Sequence, residues 1–350
     1  MVSRISDVLK RKRVDAFLVT QRENIAYLSG FYGSMGALLI SEKPVLFVDG
    51  RYYIQAKEQA PNCEIVLAKN SFWDVVSEFI KNHGIKRLGF EDANVTYRVY
   101  RSLKRKLKGV SFVPLSGIVE KERIIKKDWE IERMRKAQAL AEEAVSHCLN
   151  ILKEGICEKD LAREFEFYVK GKGAELAFES IVAFGERSAL PHAKPTERKL
   201  KKGDIVLMDV GARVDGYCSD MTRVFFFGKP EDELLKMFNA VLEAQNRAIE
   251  GIREGKKCGE IDALARECLN EKGYGELFTH SLGHGIGREV HEMPGLAPNS
   301  KERLVSSAIV TVEPGIYVEG LGGIRIEDMV LVGKKSCEDL THFPKEPTII

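Results

Sequence analysis

Four acidic residues and a group of histidines in the second half of this 350-residue chain have types and spacing suited to metal chemistry. The first pair lies in IVLMDVGARVDGYCSDMTRVFFF, where Asp215-Gly216 between two β-rich runs marks a two-residue hairpin loop. Pairing residues outward from that turn opposes Asp209 to Thr222 and Asp220 to Gly211. Asp209 and Asp220 then share one sheet face as diagonal neighbours, about 7–8 Å apart at Cα and closer at their carboxylates. Two carboxylates converging among apolar residues repel unless something positive sits between them. The apolar flanks therefore favour a cation site over a pair of solvated loop acids. Next, THSLGHGIGREVHEMPG supplies His280, His284 and His291 in one short stretch. Its glycines let the backbone approach a ligand and disfavour a helix. Without a strand–turn–helix context, its Gly-x-Gly-x-Gly is not a dinucleotide fingerprint. Two further acids stand in β-like runs: Glu313 in IVTVEPGIY and Glu327 in GGIRIEDMVLV, where period two puts Arg325 on the same face. A buried carboxylate needs a partner; for Glu327 that is either Arg325 or a metal.

The four carboxylates balance two divalent cations, and a neutral His284 adds one nitrogen. Such a set, with bridging carboxylates, describes a two-metal site with ions about 3.5–4 Å apart. Oxygen donors with one imidazole suit Mn, Co, Fe or Zn better than a soft thiolate site. Cys218 shares the Asp220 face by parity, but the charge balance does not require its thiolate.

The elements that must position these residues fall into two groups. Up to about residue 117, short apolar runs alternate with helical patterns. Strands are expected at Ala16–Val19, Ala37–Ile40, Val45–Val48, Glu64–Leu67, Arg87–Phe90 and Ser111–Pro114, with amphipathic segments such as Ser71–Asn82 and Tyr97–Leu107 between them. Strands alternating with helices argue an α/β domain. A densely charged segment, KERIIKKDWEIERMRK, then runs into a long helix with Ile131, Met134, Leu140, Val145 and Leu149 on one stripe. The boundary is placed there, giving domains 1–120 and 121–350. The second domain reads as helices to about residue 172, then strands at Ile181–Ala183, Ile205–Val210, Val224–Phe227, Ile309–Glu313 and Ile324–Val332, with helices Glu231–Ile252 and Gly259–Lys272 between. That grouping is α+β, with a faint two-fold theme of helices followed by a hairpin.

Composition narrows the function classes. Lys+Arg 54 against Asp+Glu 52 leaves a net charge of +2, which does not mark a nucleic-acid binder. The basic run Arg98–Lys108 is read as a solvated face. Seven scattered cysteines without a C-x-x-C pair imply reduced thiols and a cytoplasmic address rather than a disulfide framework. The start, MVSRISDVLKRKRVDAF, has no apolar signal core and reads as a surface helix. No apolar stretch approaches the ~20 residues of a membrane span.

Taken together, MDVGARVDGYCSD, HSLGHGIGREVHE, TVEPGIY and GIRIED resemble the pita-bread-fold metallopeptidases, the family of methionine aminopeptidase, prolidase and Xaa-Pro aminopeptidase. The resemblance implies a pita-bread catalytic domain and two divalent metal ions (Mn, Co or Zn) on Asp209, Asp220, His284, Glu313 and Glu327. Asp220 and Glu327 would bridge, Asp209 would complete one ion, and His284 with Glu313 the other. It also implies that His192, in AFGERSALPHAKPT, joins His280 and His291 around the metals without ligating them, and that Glu313 shuttles a proton. His192 and His291 would then contact the substrate. IAYLSGFYGSMGALLI and VLFVDGRYYIQA resemble the N-terminal domain of the proline-specific, creatinase-like branch. The implied substrates are peptides with proline in second position, the implied assembly a homodimer in which one N-terminal domain caps the partner's site, with no nucleic acid or membrane partner. A dipeptidase needs a cation for the free proline carboxylate, yet Gly295 follows Pro294 and the residues to Ser300 are uncharged. The expectation is accordingly an Xaa-Pro aminopeptidase. An Xaa-Pro dipeptidase using Arg325 is the alternative; a general aminopeptidase or a non-catalytic binding protein on the same fold are more distant ones.

Overall fold

The computed structural model describes residues 2–350, which divide into two compact units, one running to Glu122 and the other spanning Arg123–Ile350. The first unit is built on a six-stranded sheet in the order Glu64–Leu67, Val45–Val48, Ala37–Ile40, Ala16–Val19, Arg87–Glu91, Ser111–Leu115. Its central strands are apolar throughout because helices cover both faces. Phe17 and Val19 join one core with Ile25 and Leu46, while Ala16 and Leu18 join another with Val76, Ile80 and Leu103. The expected strands appear at these positions, within a residue at their ends, and the start of the chain is helical over Val2–Lys12.

In the second unit, two halves repeat one plan. Helices Asp128–Ile151 and Glu158–Gly171 precede a sheet containing Ile181–Phe184, Ile205–Val210 and Met221–Phe226. Helices Asp232–Gly251 and Cys258–Glu271 precede a sheet containing Gly283–Gly285, Glu292–Leu296, Ile309–Val312 and Asp328–Val332. Each helical pair is clamped alike: Gly155 N–H donates to the Leu200 carbonyl and Leu200 N–H to Ile156, just as Gly255 donates to Leu304 and Leu304 to Lys256. The faint two-fold theme in the sequence is thus a real duplication of architecture. The first half contributes Asp209 and Asp220, the second His284, Glu313 and Glu327.

Two expectations need correction. The long helix Asp128–Ile151 buries Met134, Ala137, Ala141, Ala144, Val145 and Cys148, while Leu140 and Leu149 are only half-buried. Small side chains let the helix approach its neighbours closely, so the contact face follows alanines rather than leucines. Ile324–Val332 is not one strand. It divides into Gly322–Arg325, paired with Gly315–Val318, and Asp328–Val332, paired with Ile309–Val312. Glu327 stands at the break between two sheets. Among the described residues, no helix is long and apolar enough to cross a membrane.

Candidate metal centre

The hairpin carrying the first two acids forms around Asp215 (φ 50°) and Gly216 (φ 79°), the paired positive φ values that a tight two-residue turn requires. The ladder places Thr222 opposite Asp209 and Met221 opposite Val210, the pairing read from the turn. Close approach of the strands beyond this point depends on Gly211, where a Cβ would fall 2.2 Å from the Ser219 carbonyl oxygen.

Asp220, His284 and Glu327 each offer one ligand atom, and these atoms lie within 4.8 Å of one another. Glu313 and Asp209 flank this trio. His284 Nε2 is 3.3 Å from Glu313 Oε1 and 3.8 Å from Asp220 Oδ2. Its Nδ1 lies 3.0 Å from the Gly285 carbonyl oxygen. A carbonyl only accepts, so Nδ1 carries a proton and Nε2 is the nitrogen that faces the acids. Asp209 Oδ2 accepts from Arg325 Nη2 at 2.5 Å. Asp220 and Glu327 are buried, while His284 and Glu313 side chains keep 16% and 18% exposure, so the cluster opens to solvent on one side.

Two threonines orient the acids. Thr222 Oγ1 donates to Glu327 Oε2 at 2.7 Å and accepts from Arg325 Nε at 3.1 Å. Thr311 Oγ1 donates to Glu313 Oε1 at 3.2 Å and accepts the His284 amide at 3.1 Å. Neither was singled out from the sequence, although Thr222 lies two residues from Asp220 and Thr311 two from Glu313, the spacing of one strand face.

Electrostatically the cluster is short of positive charge. Burial, then repulsion from Asp209, raises Asp220 well above the usual carboxylate range; burial, then Asp220, does the same to Glu327. Burial also raises Asp209 despite Arg325. Burial opposes charge on His284, but Glu313 and Asp220 outweigh it and lift the imidazole to about 9. Protons are thus drawn to the place where a cation would sit, and the donor set of carboxylates with one imidazole nitrogen fits divalent ions. Cys218 is buried with Sγ 3.6 Å from the Arg288 carbonyl oxygen and stands outside the cluster.

The remaining expected residues divide. His291 stacks at a tilt on His284, ring centroids 4.3 Å apart, and is exposed. His192 is exposed and close enough to act electrostatically on Asp209, His280 and His291. His280 differs: Nδ1 is 2.8 Å from the Ser281 carbonyl oxygen and Nε2 is 2.9 Å from Tyr317 Oη. Both ring nitrogens are therefore engaged, at the end of a chain running from Arg325 Nη1 through Tyr317 Oη. Arg325, expected as a grip for substrate, is 3% exposed and directs donors to Asp209, Thr222 and Tyr317. Its placement is that of a support behind Asp209.

Comparisons with known proteins identify the family. Residues 132–334 match the model of metallopeptidase family M24, and residues 1–125 match the creatinase/prolidase N-terminal domain. An Xaa-Pro dipeptidase of Pyrococcus horikoshii is 36% identical over 349 residues, covering 99% of this chain and 97% of that protein. The structure of an Xaa-Pro dipeptidase from Bacillus anthracis superposes with a TM-score of 0.96 at 42% identity, covering 100% of this chain and 99% of that one. An X-Pro aminopeptidase from Thermotoga maritima reaches 0.90 at 38% identity, covering 96% and 98%. Dipeptidases predominate among such relatives, which favours the alternative reading over the aminopeptidase expected from the uncharged stretch after Pro294. With a family match over most of its second unit and relatives along nearly its whole length, the chain belongs to metallopeptidase family M24 and has the pita-bread fold.

Proposed function

We propose that the protein is a proline-specific exopeptidase of the dipeptidase type, splitting Xaa-Pro dipeptides with two divalent cations held by Asp209, Asp220, His284, Glu313 and Glu327. The convergence of Asp220, His284 and Glu327 within 4.8 Å, flanked by the other two acids, carries this reading. Bound divalent ions there supply Lewis acidity, polarising the scissile carbonyl and lowering the pKa of water. The protein's own groups do the rest. Thr311 holds Oε1 of Glu313, leaving Oε2 to take a proton from the attacking water and deliver it to the proline nitrogen, which has no hydrogen of its own. Partial desolvation and the neighbouring His284 hold His291 below its usual pKa, and its imidazole can donate one N–H to the carbonyl oxygen as negative charge develops. His192, also exposed and near enough to act on His291, is assigned a second such contact. Arg325 opposes the protonation that burial favours at Asp209 and aims its carboxylate.

The dipeptidase assignment draws support from the names of relatives spanning the whole chain. Action on longer Xaa-Pro peptides is the second reading, favoured by the uncharged residues from Gly295 to Ser300. Purified protein, stripped and reloaded with Mn, Co or Zn, should release proline from an Xaa-Pro dipeptide faster than it trims an Xaa-Pro-Xaa tripeptide. Faster cleavage of the tripeptide reverses the order of the two readings. Equal cleavage of Xaa-Ala removes proline specificity altogether.

A further inference from the structure

Helix Asp232–Gly251 buries Leu234, Met237, Phe238, Val241, Ala244 and Ala248 against the second sheet, at the three- and four-residue spacing of an apolar stripe. One member of that stripe is polar: Gln245, with 0% exposure. A buried amide in an apolar stripe costs stability unless its hydrogen bonds are made. Those of its Nε2 are made to specific places, while Oε1 is buried without a hydrogen-bond partner among the described residues. Nε2 lies 3.2 Å from the Val312 carbonyl oxygen, 3.3 Å from that of Ile326 and 3.0 Å from Asp328 Oδ2. Three acceptors surround it, so the NH2 group must face them, and no acceptor-only or apolar side chain could take its place.

Val312 and Ile326 immediately precede Glu313 and Glu327. Each carbonyl belongs to the same planar peptide as the nitrogen of the following residue. Fixing the Val312 oxygen therefore fixes the peptide from which the Glu313 side chain departs, and the same holds for Ile326 and Glu327. Both peptides are held on their other edge as well, since Glu313 N–H donates to the Leu282 carbonyl at 2.8 Å and Glu327 N–H to that of Thr222 at 3.2 Å. Arg223 holds the next peptide along, its Nη1 donating to the Glu327 carbonyl at 2.8 Å while Nη2 reaches Asp328 Oδ1 at 2.7 Å. The strands bearing Glu313 and Glu327 pair with each other on both sides of the break, Val312 with Asp328 and Gly315 with Arg325, but the ladder is interrupted at Glu313 and Glu327 themselves, where Gln245 supplies the cross-tie.

We propose that Gln245 is a positioning residue for the metal centre: one amide group, held by a helix behind the sheet, ties the two peptides that carry Glu313 and Glu327 and sets the spacing between these carboxylates. The inference rests on the metal-centre reading above and adds a residue that touches neither metal nor substrate.

The test uses the full-length protein, stripped of metal and titrated with Co(II), following both the dissociation constant and the visible d–d spectrum at a temperature where each variant is folded. Gln245→Met and Gln245→Glu are compared with Met237→Ala, which removes volume from the same helix face without touching either peptide. Loss of an outer support lowers metal affinity by roughly 10–100-fold; at least about tenfold weakening and an altered spectrum are expected in both Gln245 variants. Met237→Ala should lose thermal stability yet keep the wild-type constant and spectrum. If Gln245→Met does not fold, Gln245→Glu, of nearly the same volume, decides. Wild-type affinity and spectrum in the folded Gln245 variants overturn the proposal, as does an equal loss in Met237→Ala. Failure of the wild-type protein to bind Co(II) overturns the metal-centre reading itself, a result distinct from the others.

Discussion

Asp220 and Glu327 are buried in one cluster, and burial raises both pKa values, with Asp209 adding to the rise at Asp220 and Asp220 to that at Glu327. Such a pair harms the metal-free fold and serves the loaded one, the usual conflict between a site and its scaffold. A carboxyl whose folded pKa lies above its unfolded value ionises first in the unfolded chain. Its unfavourable contribution is therefore absent at low pH and grows as pH rises above about 4 toward the raised folded value. Asp220→Asn keeps the shape and removes the charge. In metal-free protein it should raise the melting temperature near neutral pH, by about 2–4 °C for each kcal/mol relieved, and this advantage should shrink toward pH 4. Calorimetry of both stripped proteins across that range tests the sign. The same variant should lose Co(II) binding and turnover by more than the roughly 100-fold at which outer supports saturate.

At the scale of elements, the site is a matter of two hairpin-like crossings brought together by glycine. At Gly283, beside His284, a Cβ would lie 2.1 Å from the Thr311 carbonyl oxygen. Gly283→Ala must push the His284 strand from Ile309–Val312 and should lower metal affinity and kcat together, with KM changed less; wild-type affinity in that variant would show that the strands have slack. Much of this was legible in the sequence. Asp215-Gly216 gave the register of Asp209 against Thr222 because turn chemistry is local, and Ile205–Val210 was legible because a buried strand is a continuous apolar run. What escaped reading depends on partners distant in sequence. Arg325 looked like a partner for Glu327 by period two, but the strand breaks at Ile326 and the guanidinium turns to Asp209. His280 was expected around the metals with His192 and His291, and its hydrogen bond to Tyr317, far along the chain, could not be read locally. Gln245 did carry a local signal, an amide in an apolar helical stripe, but its meaning needs Val312 and Ile326 in view.

For the whole molecule, the two compact units share out the chain's two tryptophans, Trp73 in the first and Trp129 in the second. Chains of more than one unit commonly depart from all-or-none unfolding. Trp73→Phe and Trp129→Phe variants each leave one reporter, and a bound ion stabilises only what holds it. Added Co(II) should raise the melting midpoint reported by Trp129 and leave that reported by Trp73 unmoved. Equal shifts at both would show the units melting as one. The second unit has one more consequence, at its far end. Thr348–Ile349 pairs in parallel with Phe225–Phe226, continuing the strand of Thr222, and the carbonyls of Phe343 and Pro344 are taken by Arg223, whose other donors hold Glu327 and Asp328. Residues 343–349 therefore brace the strand that carries Thr222 and, through Arg223, the backbone of Glu327, so a substitution in this segment pulls on the ligand strands without touching the centre.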